Sequence, residues 1–397
     1  MAISTPRPTL TAGQWIKLFY ELLLVVPLQA ARNAIPAAVH VTRLGLPLQP
    51  TLWNAIVRTL MTNVSPSNLH FLMPPTLEAY QLWMRQSGKH RGFKPAVQEG
   101  NYGKTRLMWL TKHDFMDDKV VLFFHGGGYV MPLSSGHLEW MAHLQEEVET
   151  ALEQKTVGVA VLEYALVPDS IYPMQLAQAI DGLQTLLDQG FRLSSIVIGG
   201  DSAGGHLALS VLAHLLRPRD SLSRLDGLRS TPAIHPRNEE TPLAGAFLVS
   251  PLVSFVTESL RFPSYEVNKR ADLLSAYIVT TYGDYLTGGA QDAWMRDQAK
   301  GQAWGMALDV QGDLGVEKQW NDVGRVVEGV LITTGENEVF RDPVIEFATR
   351  LKKVFSGGVL ILRPKEAHDG PLMDFSAGRP ASSTTKAIVS FVVRSFQ

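Results

Sequence analysis

The chain contains no cysteine, which excludes disulfides, a thiolate nucleophile and any cysteine-ligated zinc or iron site. Charge is also sparse and balanced. Charged residues make up 19% of the sequence and the formal net charge is −2, with no block of like charges of the kind that neutralises phosphates, so a nucleic-acid partner is not expected. The N-terminus lacks the usual arrangement of a secretory signal, and the protein is expected in the cytoplasm. Its apolar stretch from Trp15 to Ala31 is interrupted by Lys17, Glu21 and Pro27, and the longest uncharged run, Leu22–Ala31, falls short of the roughly 20 residues of a membrane span. A transmembrane helix is therefore not expected. The bulky residues Trp15, Ile16, Phe19, Leu22, Leu23 and Val26 nevertheless fall at helical spacing, which predicts a helix with one apolar face. That face is expected to cover a functional site or pack on the core. A peripheral membrane contact through this helix stays open, as does a homodimer.

What the sequence does have is core-forming material: 45% hydrophobic residues in 397, enough for one elaborated catalytic domain. From about residue 105, short β-branched runs alternate with helical patterns. Strands are expected at Thr105–Leu110, Val120–His125, Val157–Tyr164, Ile196–Gly199, Gly245–Val249, Val330–Thr334 and Val359–Arg363, with helices such as Gln175–Gln189 and Gly204–Leu216 between them. This is the rhythm of a mainly parallel sheet with helices on both faces. Two segments break it. Residues 1–85 precede the sheet and residues 252–325 interrupt it, the latter with Tyr265, Tyr277, Tyr282, Tyr285, Trp294, Trp304 and Trp320. Both are expected to form a helical cap over a catalytic domain spanning 86–397. The polar stretch Arg217–Thr241 reads as a surface loop.

Gly200-Asp201-Ser202-Ala203-Gly204 matches G-x-S-x-G where a strand meets a helix. On such a turn the serine is forced out of the sheet's edge, and the following helix aims N–H groups at it. A second glycine motif, His125-Gly126-Gly127-Gly128-Tyr129, follows the strand Val120–Phe124. Consecutive glycines let backbone amides approach a substrate, as stabilisation of a tetrahedral oxyanion requires. The amides of Gly126, Gly127 and Ala203 are the expected donors, and His125 is expected to orient the loop. A base must accept the proton of Ser202. His368, after the last strand, suits the chain order serine, acid, histidine, whereas His137, His143 and His206 read as structural. The acid follows the penultimate strand, where Glu338 and Asp342 both qualify.

Together these motifs resemble the hormone-sensitive-lipase-like branch of the α/β-hydrolases, from about residue 105 onward. Tyr164-Ala165-Leu166-Val167-Pro168-Asp169, Tyr172-Pro173 and Ser250-Pro251 are similar to further family motifs, and Glu338-Val339-Phe340-Arg341-Asp342 keeps the spacing of the family's D-P-L-R-D. The resemblance thus implies the acid role for Glu338. It departs from the family at Ala165, where arginine is usual, and at His368-Asp369-Gly370, which replaces H-G-F. Fungal members, among them steryl-acetyl hydrolases and secondary-metabolite esterases, look most similar. The resemblance implies an α/β-hydrolase fold with an eight-stranded type of sheet and a cap. It also implies a serine carboxylic ester hydrolase that uses Ser202, His368 and Glu338 on a small-molecule ester, without metal or cofactor. An acyltransferase, a lactonase and a non-catalytic ligand-binding receptor are the alternatives.

Overall fold

A computed structural model describes residues 10–101, 105–111, 119–153, 156–218, 241–254, 261–289, 307–308 and 315–397. Its strands are β1 (Ala96–Glu99), β2 (Arg106–Leu110), β3 (Lys119–Phe124), β4 (Val157–Glu163), β5 (Ile196–Asp201), β6 (Gly245–Val249), β7 (Val330–Gly335) and β8 (Gly358–Arg363). They form one sheet in the order β1-β2-β4-β3-β5-β6-β7-β8. β1, β2 and β4 pair antiparallel, and all pairs from β4-β3 to β7-β8 are parallel. Seven strands match the sequence expectation within about two residues. β1 was not anticipated, because a four-residue edge strand that alternates half-buried and exposed carries almost no apolar signal.

The run Val120–Phe124 is fully buried because alternate residues serve two cores. Val120, Leu122 and Phe124 pack with the helices Met174–Asp188 and Ala203–Leu216 on one face. On the other, Val121 and Phe123 pack with Ser135–Leu152 and Ser383–Phe396. Each such side chain contributes about 1.5–3 kcal/mol by leaving water. Parallel strands enclosed in this way end together at one edge, where β3, β5, β6, β7 and β8 deliver His125, Ser202, Ser250, the Glu338 loop and the His368 loop. Ligand sites of open α/β sheets form at this carboxyl edge.

The N-terminal segment departs from expectation in two ways. Ala12–Tyr20, the π turn Glu21–Val25 and Val26–Leu44 run on as one helix. Pro27 does not end it; the missing N–H of proline is absorbed by the π turn just before it. By length and composition, Ala12–Pro36 is long and apolar enough to cross a membrane. The anticipated apolar face is also packed only in part, through Leu22 and Val26. Trp15, Ile16, Phe19 and Leu23 are exposed, while Leu18, Glu21 and Val26 point inward. The inward carboxylate is held by Asn68 Nδ2, which donates to Glu21 Oε2 at 3.2 Å.

Behind this helix, the Leu48–Asn63 helix joins the segment 261–289. Asn54 Nδ2 donates to the Ala271 carbonyl at 2.9 Å, buried Arg58 donates to the Asp272 carbonyl, and Tyr282 Oη donates to the Met61 carbonyl at 3.4 Å. Not all the aromatics of the 252–325 segment belong to this junction. Tyr265 packs against Phe340 and Trp320 against Phe347, Tyr277 is exposed, and Trp294 and Trp304 lie outside the described residues, as does most of Arg217–Thr241.

Candidate active site

The serine turn is forced by its neighbours. Ser202 sits at φ 51°, ψ −112° at the start of the Ala203–Leu216 helix, a left-handed conformation that a non-glycine residue holds only when its surroundings impose it. Its amide donates to the Val249 carbonyl at 2.8 Å and its carbonyl accepts from His206 and Leu252. Gly204 lies so close to β3 that a Cβ would collide with the Phe124 carbonyl. The serine hydroxyl is thereby aimed off the sheet edge, 2.8 Å from His368 Nε2.

The structure separates the two carboxylates proposed for the acid. Glu338 is fully buried, with Oε2 3.8 Å from His368 Nδ1. That is an ion-pair separation longer than a hydrogen bond, and resting catalytic contacts are often long in this way. Glu338 accepts from Ser250 Oγ at 2.6 Å and from Thr334 Oγ1. Burial raises its pKa to about 7, against the lowering influence of His368 and with a further raising one from Asp272. Asp342 instead accepts from the Ser264 amide at 2.8 Å and from Arg341 Nε at 2.7 Å, which commits it to the loop.

Three supporting residues were not read as site residues in the sequence. Ser250 (φ 45°) donates to Glu338 and accepts from the Asp369 amide at 3.2 Å. Asp272, itself buried, accepts from the Val339 amide beside Glu338. Asp369 places Oδ2 3.2 Å from His368 Nε2, on the same nitrogen that meets Ser202. The only sequence signal for Asp369 was its standing where the family commonly has glycine.

Burial alone would lower the pKa of His368, but Asp369 first, then Asp272 and Glu338, outweigh it and raise the imidazole above its ordinary value. An imidazole accepts a proton only when neutral, so turnover dependent on His368 should rise with pH through this raised pKa. Asp369→Asn removes the largest raising influence. The acid limb of kcat/KM should then move to lower pH by about one unit or more; a limb that stays in place contradicts this role for Asp369.

The glycine loop requires one correction. The Gly126 amide donates to Asp201 Oδ1 at 3.0 Å, and Asp201 Oδ2 is also 3.2 Å from His137 Nε2. Gly126 is thus spent on anchoring the loop to the serine turn and is not free to serve a substrate. Gly127, Gly128 and Ala203 line the cavity instead, one residue further along than expected. Gly127 and Gly128 have φ of 102° and 63°, and a Cβ on Gly127 would meet Met131 at 2.9 Å, so side chains are excluded on both grounds. His125 is buried and its pKa falls to about 3, through burial and then the neighbouring His137. It stays neutral, stacked 4.5 Å from Tyr164, with Nδ1 on the Gly126 carbonyl at 2.8 Å.

Ser202, Ala203, His368 and Asp369 open onto a cavity of about 290 Å³. Trp53, Val57, Met61 and Met73 line it from the N-terminal segment, and Leu273, Leu274, Ile278, Val279, Tyr282 and Leu286 from the later one. No described residue before Trp53 lines it, so the first helix does not reach the cavity.

Comparison with known proteins agrees with this architecture. Residues 121–369 match the family described as alpha/beta hydrolase fold. A Schizosaccharomyces pombe protein whose name assigns it to the steryl acetyl hydrolases is 25% identical over 260 residues, which cover 64% of this chain and 60% of that relative. The chain thus spans less than two thirds of that relative's length. Two solved structures share the fold. An esterase from the bacterial hormone-sensitive lipase family superposes with TM-score 0.56 at 18% identity, covering 87% of this chain and 98% of that one. Carboxyl esterase 2 of the mycorrhizal fungus Tuber melanosporum gives TM-score 0.57 at 17% identity, with 77% and 86% covered. With the glycine-rich turn after β3 and the serine turn after β5 in place on an eight-stranded sheet, the chain belongs to the α/β-hydrolase fold family.

Proposed function

We propose that the protein hydrolyses carboxylic esters of small molecules through an acyl-enzyme on Ser202. The observation that carries this reading is the 2.8 Å contact of Ser202 Oγ with His368 Nε2 on an apolar cavity bordered by the glycine loop. His368 takes the hydroxyl proton as Oγ bonds to the ester carbon, and the carbonyl oxygen becomes an oxyanion facing the amides of Gly127, Gly128 and Ala203. Collapse breaks the bond to the alcohol, which leaves with the proton from His368. Water then gives a proton to the same nitrogen, attacks the acyl carbon and releases the acid, and Oγ regains its hydrogen. Glu338 holds the imidazole and stabilises its charged form.

The helix Leu48–Asn63 and the segments around Leu252 and 273–286 act in this reading as the cap. Their apolar side chains suit a bulky apolar alcohol, and the acetyl hydrolase name of the yeast relative supports a short acyl group. Trp53→Ala should lower kcat/KM about tenfold for acetates of bulky apolar alcohols, the loss expected for one large apolar contact. The effect on p-nitrophenyl acetate should stay within about threefold. Equal losses on both would contradict a cap that selects the alcohol. A series of p-nitrophenyl esters of increasing acyl length tests the other half; turnover that grows with acyl length contradicts the short-acyl reading.

A further inference from the structure

The geometry points to a second working surface: the outer face of the N-terminal helix docks on an anionic lipid bilayer, lying in its surface beside the mouth of the cavity. The inference begins with exposure. Ile16, Leu23, Leu28 and Ile35 are 72%, 69%, 70% and 72% exposed, and Tyr20 and Leu24 lie exposed beside them. Such a stripe of large side chains is more than scattered surface hydrophobics account for.

Charge selects the occupant. The first 77 residues contain one acidic residue, Glu21, against Arg7, Lys17, Arg32, Arg43 and Arg58, although the whole chain is slightly negative at −2. Glu21 is buried, while Lys17, Arg32 and Arg43 are exposed. Lys17 is paired with Glu21 at 3.8 Å, so toward its surroundings the described part of this helix presents apolar side chains flanked by the positive charges of Arg32 and Arg43, the combination that binds acyl chains and anionic headgroups together.

Fastening of the inner face sets the orientation. Leu18 and Val26 are buried, Asn68 holds Glu21, Asn33 Nδ2 donates to Thr59 Oγ1 at 3.2 Å and Asn63 Nδ2 to Gln29 Oε1 at 3.1 Å. A helix crossing the bilayer would have to give up all of these, whereas one lying in the surface keeps them. The apolar surface also continues to the cavity. Trp15 packs edge-on to Phe71, ring centroids 4.8 Å apart; Phe71 leads through exposed Leu72 to Met73, which lines the cavity. Trp53 does both, being 53% exposed and part of the cavity wall. An apolar ester dissolved in lipid would thus pass into the cavity without crossing water. This last consequence rests on the proposed esterase reading, while the docking does not.

The test is co-sedimentation of the full chain with phosphatidylcholine vesicles, with and without phosphatidylserine. Binding is expected, stronger with phosphatidylserine and weakened by salt. The double variant Leu23→Asp/Leu28→Asp should weaken it about tenfold or more. Quenching of tryptophan fluorescence by brominated lipid in the unaltered protein gives a second readout that needs no variant. Failure to sediment and to quench overturns the proposal. So does resistance to alkaline carbonate extraction from cell membranes, which would mark a spanning helix. A wild-type dimer without lipid that the same double variant dissociates would assign the face to a second copy and overturn it as well. In an activity arm, the double variant should lose turnover of a vesicle-dissolved ester while keeping that of p-nitrophenyl acetate in solution. Vesicle binding without any ester turnover would refute the esterase reading and leave the docking intact.

Discussion

Ser202→Ala is expected to lower ester turnover by about 10⁴-fold or more, and to abolish labelling by a fluorophosphonate, because no other group supplies the attacking oxygen. The residual rate should be above that of water alone, since the amides of Gly127, Gly128 and Ala203 remain to stabilise the oxyanion. Stability should change little. The serine hydroxyl meets His368 at 2.8 Å, but the turn is held by backbone contacts, from Ser202 to Val249 and from His206 and Leu252 to Ser202, which alanine keeps. The unfavourable φ of 51° is carried equally by both residues, so the variant gives a clean comparison of chemistry at nearly constant fold. Thermal unfolding measured beside the rate separates the two, and labelling that persists in a folded Ser202→Ala protein would remove Ser202 from the mechanism.

The second large effect is expected at the acid. Glu338→Gln keeps the shape of the side chain and can still meet Ser250 and Thr334, but it loses the charge that stabilises protonated His368, 3.8 Å away. Turnover should fall by about 10³–10⁴-fold, the scale for removing the charge of a triad acid. Asp342→Asn should stay within about threefold in turnover and cost about 1 kcal/mol of stability, because Asp342 serves Ser264 and Arg341. Both variants are to be compared at equal folded fraction. If the Asp342 change proved the costlier for catalysis, the acid would be on the wrong carboxylate.

The contrast between these two residues shows how far the sequence reaches. Chain order placed Glu338 and Asp342 on one loop and the spacing shared with the family's D-P-L-R-D favoured Glu338, but the sequence does not show what holds that loop: Asn268, whose Nδ2 donates to the carbonyls of Glu336 and Glu338 at 3.1 and 2.8 Å from 70 residues or so away in the chain. The sheet was legible because strands buried on both faces must be continuously apolar, as Val120–Phe124 are. Edge strand β1 was not, since it need not be apolar. The glycine motif was legible as a loop that brings amides to a substrate, yet not which amide is free. That depends on the Asp201 carboxylate reaching Gly126 from the serine turn. The N-terminal helix was correctly seen as amphipathic, but of its anticipated inner face only Leu22 and Val26 pack inward, because a buried carboxylate tied to Asn68 cannot be inferred from hydrophobic periodicity.

The most direct measurement is peptide mass spectrometry of the protein acid-quenched during turnover of p-nitrophenyl acetate. The account predicts one acetyl group on the peptide containing Ser202, absent from Ser202→Ala and accumulating in Glu338→Gln if deacylation slows more than acylation. Steady turnover with no adduct, or an acetyl group carried by another residue, would contradict an acyl-enzyme on Ser202.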